Sequence, residues 1–293
     1  MSGVPPVVSV VVPTYNRPRQ LRACLEALAA QSYPQGRFEV IVVDDGSPAP
    51  LGPLVDELRG RLEVRLLRQE RQGPAAARNR GAAAARGTLL AFTDDDCRPH
   101  PGWLRALTLR LGAAPEAMVG GQTINALRDN ACAEASQLLV GYIYEYFNRP
   151  GGAYFFTSNN IALARAGFEA IGGFDTSYPR AAAEDRDFCD RWQLAGFPMV
   201  YAPEALIDHA HALTLRGFWR QHLNYGRGAY HFHQARARRA AAPIKVEPLG
   251  FYLRLLGAPL RRRPLHQALP LAALLALSQG ANTLGFLRER AGR

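Results

Sequence analysis

GTLLAFTDDDCRPHPGWL, residues 87–104, sets a short apolar run directly before three consecutive aspartates, Asp94, Asp95 and Asp96. Adjacent carboxylates repel one another unless positive charge lies among them. A β-like run ending in such a cluster carries its acids to the C-terminal edge of a sheet. In open α/β sheets that is the edge where ligands bind. Hard divalent cations take carboxylate oxygens together with substrate phosphates, so the triplet reads as a metal–phosphate site. Taken alone, it reads equally well as a solvated acidic turn, or as a cap for a helix starting near Pro101.

Upstream, Val7 to Val12 is a β-branched run broken only by Ser9, the pattern of a strand buried on both faces. It ends in Pro13-Thr14-Tyr15-Asn16, and a helical pattern follows through Leu21, Leu25 and Leu28. Val40 to Val43 repeats the motif and closes on Asp44-Asp45-Gly46-Ser47-Pro48. A weaker strand, Leu62 to Leu67, leads through Gly73-Pro74 into an Ala-rich helix over 75–85. Strand and helix thus alternate up to the aspartates, which predicts an α/β fold with a mostly parallel central sheet flanked by helices. Downstream, Met118 to Thr123 reads as a further strand and the Tyr-rich stretch 125–152 as helical. Glu184 and Asp185 open a helix running to about Ala195, where acids suit the helix dipole. A strand over Met199 to Ala202 is followed by His209 and His211.

The chain has 293 residues and an apolar share of 48%, enough for one large domain with an appendage. Cys24, Cys97, Cys132 and Cys189 show no metal-finger spacing, which points to a reducing compartment. The N-terminus lacks a basic region before its first strand, so no cleaved signal is expected. The net charge of +10 lies almost wholly in residues 215–263, where eleven basic residues face only Glu247. Composition therefore changes near residue 214. Residues 216–239 interleave arginines with Phe218, Trp219, Tyr225, Tyr230 and Phe232, a surface suited to an anionic membrane. Charge is the only argument for nucleic acid, and no such partner is expected. Pro264 to Leu287 is uncharged and long enough to span a bilayer, but His266, Pro270, Gln279 and Asn282 favour an interfacial or oligomer-packing helix. A helix folded back on the catalytic domain is the alternative.

Taken in order, SVVVPTYNRP (9–18), VIVVDDGSP (40–48), GPAAARNRGAAAARGTLLAFTDDDCRPHPGWL (73–104), NNIALARAGFEAIGGFD (159–175) and AEDRDFCDRWQLAGF (183–197) resemble family 2 glycosyltransferases of the GT-A fold. The likeness covers about residues 7–213. It implies a catalytic domain over 1–214, with a nucleotide-binding half (1–123) and an acceptor-binding, catalytic-base half (124–214). Residues 215–293 lie beyond the likeness, and their charge and pattern read as a basic helical region suited to a membrane surface.

The resemblance implies an inverting, metal-dependent transfer from a nucleotide-diphosphate sugar, UDP foremost, to a glycan or lipid-linked hydroxyl. Asp94 and Asp96 match the D-x-D, with Asp96 the direct ligand of Mn²⁺ or Mg²⁺. Asp94 would reach the ribose, or the metal through water. Asp95 is a bystander in one register and a ligand in the other. Pro13, Thr14, Tyr15 and Asp45 would hold the nucleobase, Asp44 would shape a turn, and Arg78 would approach ribose or diphosphate. Asp185 is the expected general base with Glu184 its neighbour. Gly172-Gly173 would give clearance beside the donor sugar, and Asp175 would touch sugar hydroxyls or cap a turn. His209 is a further candidate metal ligand, with His211 not distinguished from it. FWRQHLNYGRGAY (218–230) stands where processive synthases carry Q-x-x-R-W, so transfer of one or a few sugars is expected. The implied setting is the cytoplasmic face of a membrane, in cell-envelope polysaccharide synthesis. A non-catalytic sugar-nucleotide- or membrane-binding module is the alternative.

Overall fold

The computed structural model describes residues 7–148, 152–178, 182–240 and 247–292. The first half alternates as the periodicity predicts: β1 (Val8–Thr14), α1 (Pro18–Ala29), β2 (Phe38–Asp44), α2 (Gly52–Asp56), β3 (Val64–Arg68), α3 (Pro74–Ala83) and β4 (Leu89–Phe92). Then follow β5 (Cys97–Pro99), α4 (Trp103–Ala113), β6 (Met118–Asn125), α5 (Ala131–Phe147), β7 (Ile161–Ala164), α6 (Arg165–Ala170), α7 (Glu184–Leu194) and β8 (Met199–His209). Three helices close the chain: α8 (Leu215–Ala240), α9 (Leu249–Arg262) and α10 (Leu265–Arg290).

All eight strands join one sheet in the order β3-β2-β1-β4-β7-β6-β8-β5. Strands β3, β2, β1 and β4 are parallel, as are β6 and β8. Two strands run the other way: β7 against β4 and β6, and β5 against β8. The central strands are apolar at almost every position because both faces are covered. Val10, Val12, Val40 and Val42 meet α1, α2 and α4, while Val11, Ile41 and Val43 meet the opposite layer with Phe92. In that second layer Phe92, Phe168, Phe174 and Phe188 interlock, with the Phe174 and Phe188 rings 4.4 Å apart. This aromatic packing seats the start of α7 beside the end of β4.

Two elements differ from the sequence expectation. Strand β8 does not stop at Ala202; Gly121 pairs with Ala202 and Gln122 with Leu206, so Pro203–Ala205 bulges out and the strand resumes to His209. Proline cannot donate to the ladder, which makes the interruption look like an end. The expected helix over 125–152 is shorter, because Asn130 accepts the Ala133 N–H as N-cap and defines the start of α5.

Helix α10 is long and apolar enough to cross a membrane by length and composition. Here it folds against α8, α9 and α5, with Ala268, Leu271, Leu275 and Ala281 buried. Its crossing with α8 is a backbone contact: a Cβ at Gly226 would run into the Asn282 carbonyl, and one at Gly285 into that of Leu223. Gly280, on the same helix, has open space around it. Gly226→Ala should therefore cost about 1–3 kcal/mol in urea unfolding by overpacking, whereas Gly280→Ala should add up to about 1 kcal/mol from helix propensity.

Candidate active site

The polar ends of β1, β2 and β4 reach the same sheet edge because their registers align. Phe92 lies opposite Val11, so Asp95 comes level with Thr14, and the Thr14 hydroxyl donates to Asp95 Oδ2 at 2.7 Å. Around this edge opens a cleft of about 720 Å³ whose wall includes Pro13, Thr14, Tyr15, Asp45, Arg78, Asp94, Asp95, Asp96, Glu184, Asp185, His209 and His211. The candidate nucleotide-, metal- and base-contributing residues drawn from the sequence therefore border one space.

The carboxylates there share a few cationic side chains. Asp94 accepts from Arg78 Nη2 at 2.6 Å. Arg78 is only 3% exposed, and its Nη1 lies 3.6 Å from Glu184 Oε1. It is thus a buried cation joining α3, β4 and α7, and its Nε and Nη1 have no hydrogen-bond partner among the described residues. Buried N–H donors without partners are costly, and an anion in the cleft would use them. Asp95 also faces Arg17 Nη1 at 3.2 Å. Burial and the neighbouring Asp96 charge push the Asp95 carboxyl up to about 6.

Asp96 faces one guanidinium and two imidazoles. Arg17 Nη1 is 2.9 Å from Oδ2, His209 Nε2 is 3.3 Å from Oδ1, and His211 Nδ1 is 3.2 Å from Oδ2. Burial alone would raise this carboxyl, but bonds from His209 and His211 and the nearby positive charges outweigh it and hold it well below the usual range. Ligand atoms of Asp96, His209 and His211 all lie within 4.8 Å of one another, close enough to share one cation. One carboxylate and two imidazoles suit Mn²⁺ better than Mg²⁺, which favours oxygen alone.

Asp185 and Glu184 open α7 behind Ala183, a non-glycine residue in the left-handed region at φ 73°. Such strain concentrates at functional sites. Burial raises both carboxyls above their ordinary values; the Asp185 charge adds to the rise at Glu184, and Arg78 opposes it at both. At the other end of the cleft, Asp45 accepts from Gln69 Nε2, Gln72 N and Gly73 N, each at 2.8 Å. It fastens the loop before α3, and of about four lone-pair sites one stays free for a ligand. Tyr15 lies under the Arg71 guanidinium, 4.0 Å from ring centre to Cζ. Asp44 accepts the Ser47 N–H, shaping the turn as its Asp-Gly context implies.

Several wall residues were not singled out from sequence. Arg17 follows the PTYN segment directly, with nothing in its neighbourhood to mark it. His211, which the sequence left undistinguished from His209, stands beside it at Asp96 just past the end of β8. Gly217, Arg220, Gln221, Asn224 and Tyr225 reach the wall from α8, beyond the composition boundary. Gly172 and Gly173 do not border the cleft: a Cβ at Gly173 would meet Asn79 Oδ1 and the Phe168 ring, so that clearance serves packing. Asp175 accepts the Ser177 N–H and caps a turn.

The model of glycosyl transferase family 2 matches residues 9–172, more than half of the chain. Validoxylamine A glucosyltransferase of Streptomyces hygroscopicus subsp. limoneus is 31% identical over 239 residues, 71% of this chain and 53% of that protein. The pre-mycofactocin glycosyltransferase of Mycobacterium tuberculosis is 30% identical over 228 residues, 76% of this chain and 46% of that one. The chain thus spans about half the length of these curated relatives. Among solved structures, the mannosyltransferase PcManGT from Pyrobaculum calidifontis, in complex with GDP-Man and Mn²⁺, superposes with a TM-score of 0.69. It shares 21% identity, and the match covers 99% of this chain and 88% of that one.

The raised Asp185 carboxyl has a consequence for stability. A group whose folded pKa lies above its unfolded value binds its proton more tightly when native, so stability is lost as pH rises through the folded value. Asp185→Asn removes that charge. The variant should melt higher than wild type by roughly a few degrees at pH 8, and thermal unfolding should show the advantage shrinking as pH falls toward 5.

Proposed function

The chain belongs to glycosyl transferase family 2 and has its GT-A fold, and on that premise we propose an inverting transfer of one sugar from a nucleotide-diphosphate donor to an acceptor hydroxyl. The observation that carries this reading is the meeting, in one cleft, of a cation-holding group (Asp96, His209, His211) with a buried acid pair (Glu184, Asp185) across Arg78. UDP is the nucleotide expected from the sequence resemblance, and GDP is the alternative that the PcManGT complex raises.

Asp96, His209 and His211 would hold a divalent cation, Mn²⁺ by the mix of donors. When bound, such an ion supplies Lewis-acid charge for a departing diphosphate. Arg78 offers its unpartnered N–H groups to the phosphates, while Tyr15, Pro13 and the free site on Asp45 receive the base. Asp185 takes the proton from the acceptor hydroxyl, and its raised pKa makes it a stronger base near neutral pH than an exposed aspartate. A single base acting in one displacement gives inversion. Glu184, paired to Arg78, holds the cation that faces both halves of the reaction. The acceptor enters by a second cavity of about 800 Å³, which shares Thr123, Asn125, Gln137 and Val140 with the cleft and is lined by Tyr142, Tyr144 and Tyr201.

A glycan or lipid-linked acceptor at the cytoplasmic face of a membrane accords with the last helices. Leu249, Leu253 and Leu260 project from α9 at 72%, 62% and 44% exposure, with exposed Arg254 and Arg261 beside them. Leucine to enter the headgroup region and arginine to meet anionic lipid is the chemistry of peripheral attachment.

Asp185→Asn should lower transfer by about 10²–10⁴-fold while leaving donor affinity nearly unchanged; unaltered turnover would remove Asp185 from the mechanism. Thermal shifts with UDP, GDP and TDP, each with and without Mn²⁺, identify the base. Asp96→Ala should erase the metal-dependent part, and no shift with any nucleotide would favour a non-catalytic relative. In co-sedimentation, vesicles containing phosphatidylglycerol should retain the protein and release Leu253→Glu, whereas neutral vesicles should bind neither; equal retention of both proteins would exclude the α9 face.

A further inference from the structure

We propose that Gln221, on α8, is a positioning residue that sets the tautomer of His211 and thereby makes it a cation ligand. The inference rests on the reading of Asp96, His209 and His211 as the cation's holders. His211 lies past the end of β8 and is gripped on both ring nitrogens: Nδ1 faces Asp96 Oδ2 at 3.2 Å, and Nε2 faces Gln221 Oε1 at 3.0 Å. The Gln221 amide nitrogen is spent elsewhere, donating to the Tyr225 hydroxyl at 2.8 Å and to Ser136 Oγ of α5 at 3.3 Å. The atom left for His211 is the carbonyl oxygen, which can only accept.

The chemistry of imidazole does the rest. A neutral ring has one N–H: the Asp96 carboxylate draws it to Nδ1, and the Gln221 carbonyl holds it at Nε2 once a cation takes the Asp96 side. Nδ1 then turns a lone pair toward the Asp96 carboxylate. Two acceptors 3.2 Å apart repel unless a cation lies between them, so this tautomer is the one built to receive a metal. With the opposite tautomer Nδ1–H would bond to Asp96, and the nitrogen would be lost as a ligand. Outer partners that fix a ligating histidine in this way commonly matter about 10–100-fold in metal affinity. His209 has no side chain among the described residues bonded to its Nδ1, so the control falls on His211. It reaches the site from α8, a helix of the basic C-terminal region.

The test measures binding of Mn²⁺ alone, from the loss of the free-ion signal in electron paramagnetic resonance, to full-length wild type, Gln221→Leu, Gln221→Glu and Asp96→Ala. Gln221→Leu should weaken Mn²⁺ binding by about tenfold or more. Gln221→Glu keeps the size and is a pure acceptor, so it should recover most of the affinity, which a merely structural role would not predict. Mn²⁺ affinity in Gln221→Leu equal to wild type, or in Gln221→Glu as poor as in Gln221→Leu, overturns the proposal while leaving the cation site intact. Undiminished Mn²⁺ binding by Asp96→Ala overturns the cation site and this proposal together.

Discussion

Like charges crowded at one rim are the constraint around which the molecule is organised. Asp94, Asp95, Asp96, Glu184 and Asp185 border a single cleft, an arrangement that is unfavourable unless cations are built in with them. The chain supplies those cations from several elements. Arg78 comes from α3 and joins Asp94 to Glu184, and Arg17 comes from the loop before α1; His209 at the end of β8 and His211 just past it add ring nitrogens beside Asp96. Compensation is incomplete at Glu184 and Asp185, which burial leaves harder to ionise than usual. The fold thus holds, at some expense of stability, a pair of acids suited to accept protons near neutral pH.

Much of this was legible in the chain because the signals are local. The runs before Pro13, Asp44 and Asp94 are apolar but for Ser9 and Thr93, and only strands covered on both faces read so. Their polar ends had to meet once the strands were parallel. Asp94 to Asp96 and Glu184-Asp185 each stand at the boundary of an element, where a short motif fixes the position of a side chain. What could not be read is partnership across distance. Nothing near Arg17 announces that it faces Asp95 and Asp96, and nothing near Gln221 announces His211. The reversal of β7 between β4 and β6 was also hidden, because Ile161–Ala164 is a short apolar run with no directional mark.

The boundary seen in composition is not a boundary in space. Charge changes near residue 214, yet α8 immediately beyond it gives five residues to the cleft wall and is tied by Gln221 to His211 and Ser136. Basicity there serves two ends. Arg220 faces the cleft, while Arg236 and Arg239 pair with Asp190 of α7. Helix α7, which carries the candidate base, is thereby held from behind by the same helix that walls the site in front.

Cys97, which opens β5 beside Asp96, is fully buried beneath the rim, and burial together with the Asp96 charge pushes its thiol well up. Its sulfur accepts from Asn159 Nδ2 at 3.6 Å, so the atom lies within the wall that the acids share. Cys132, on α5, is partly exposed. A thiol reagent would mark Cys132 at once and Cys97 only in molecules whose β5–β8 edge had come apart. The ratio of the two labelling rates is therefore an internal clock for how often this rim opens, and any occupant that bridges Asp96 to the histidines should slow it.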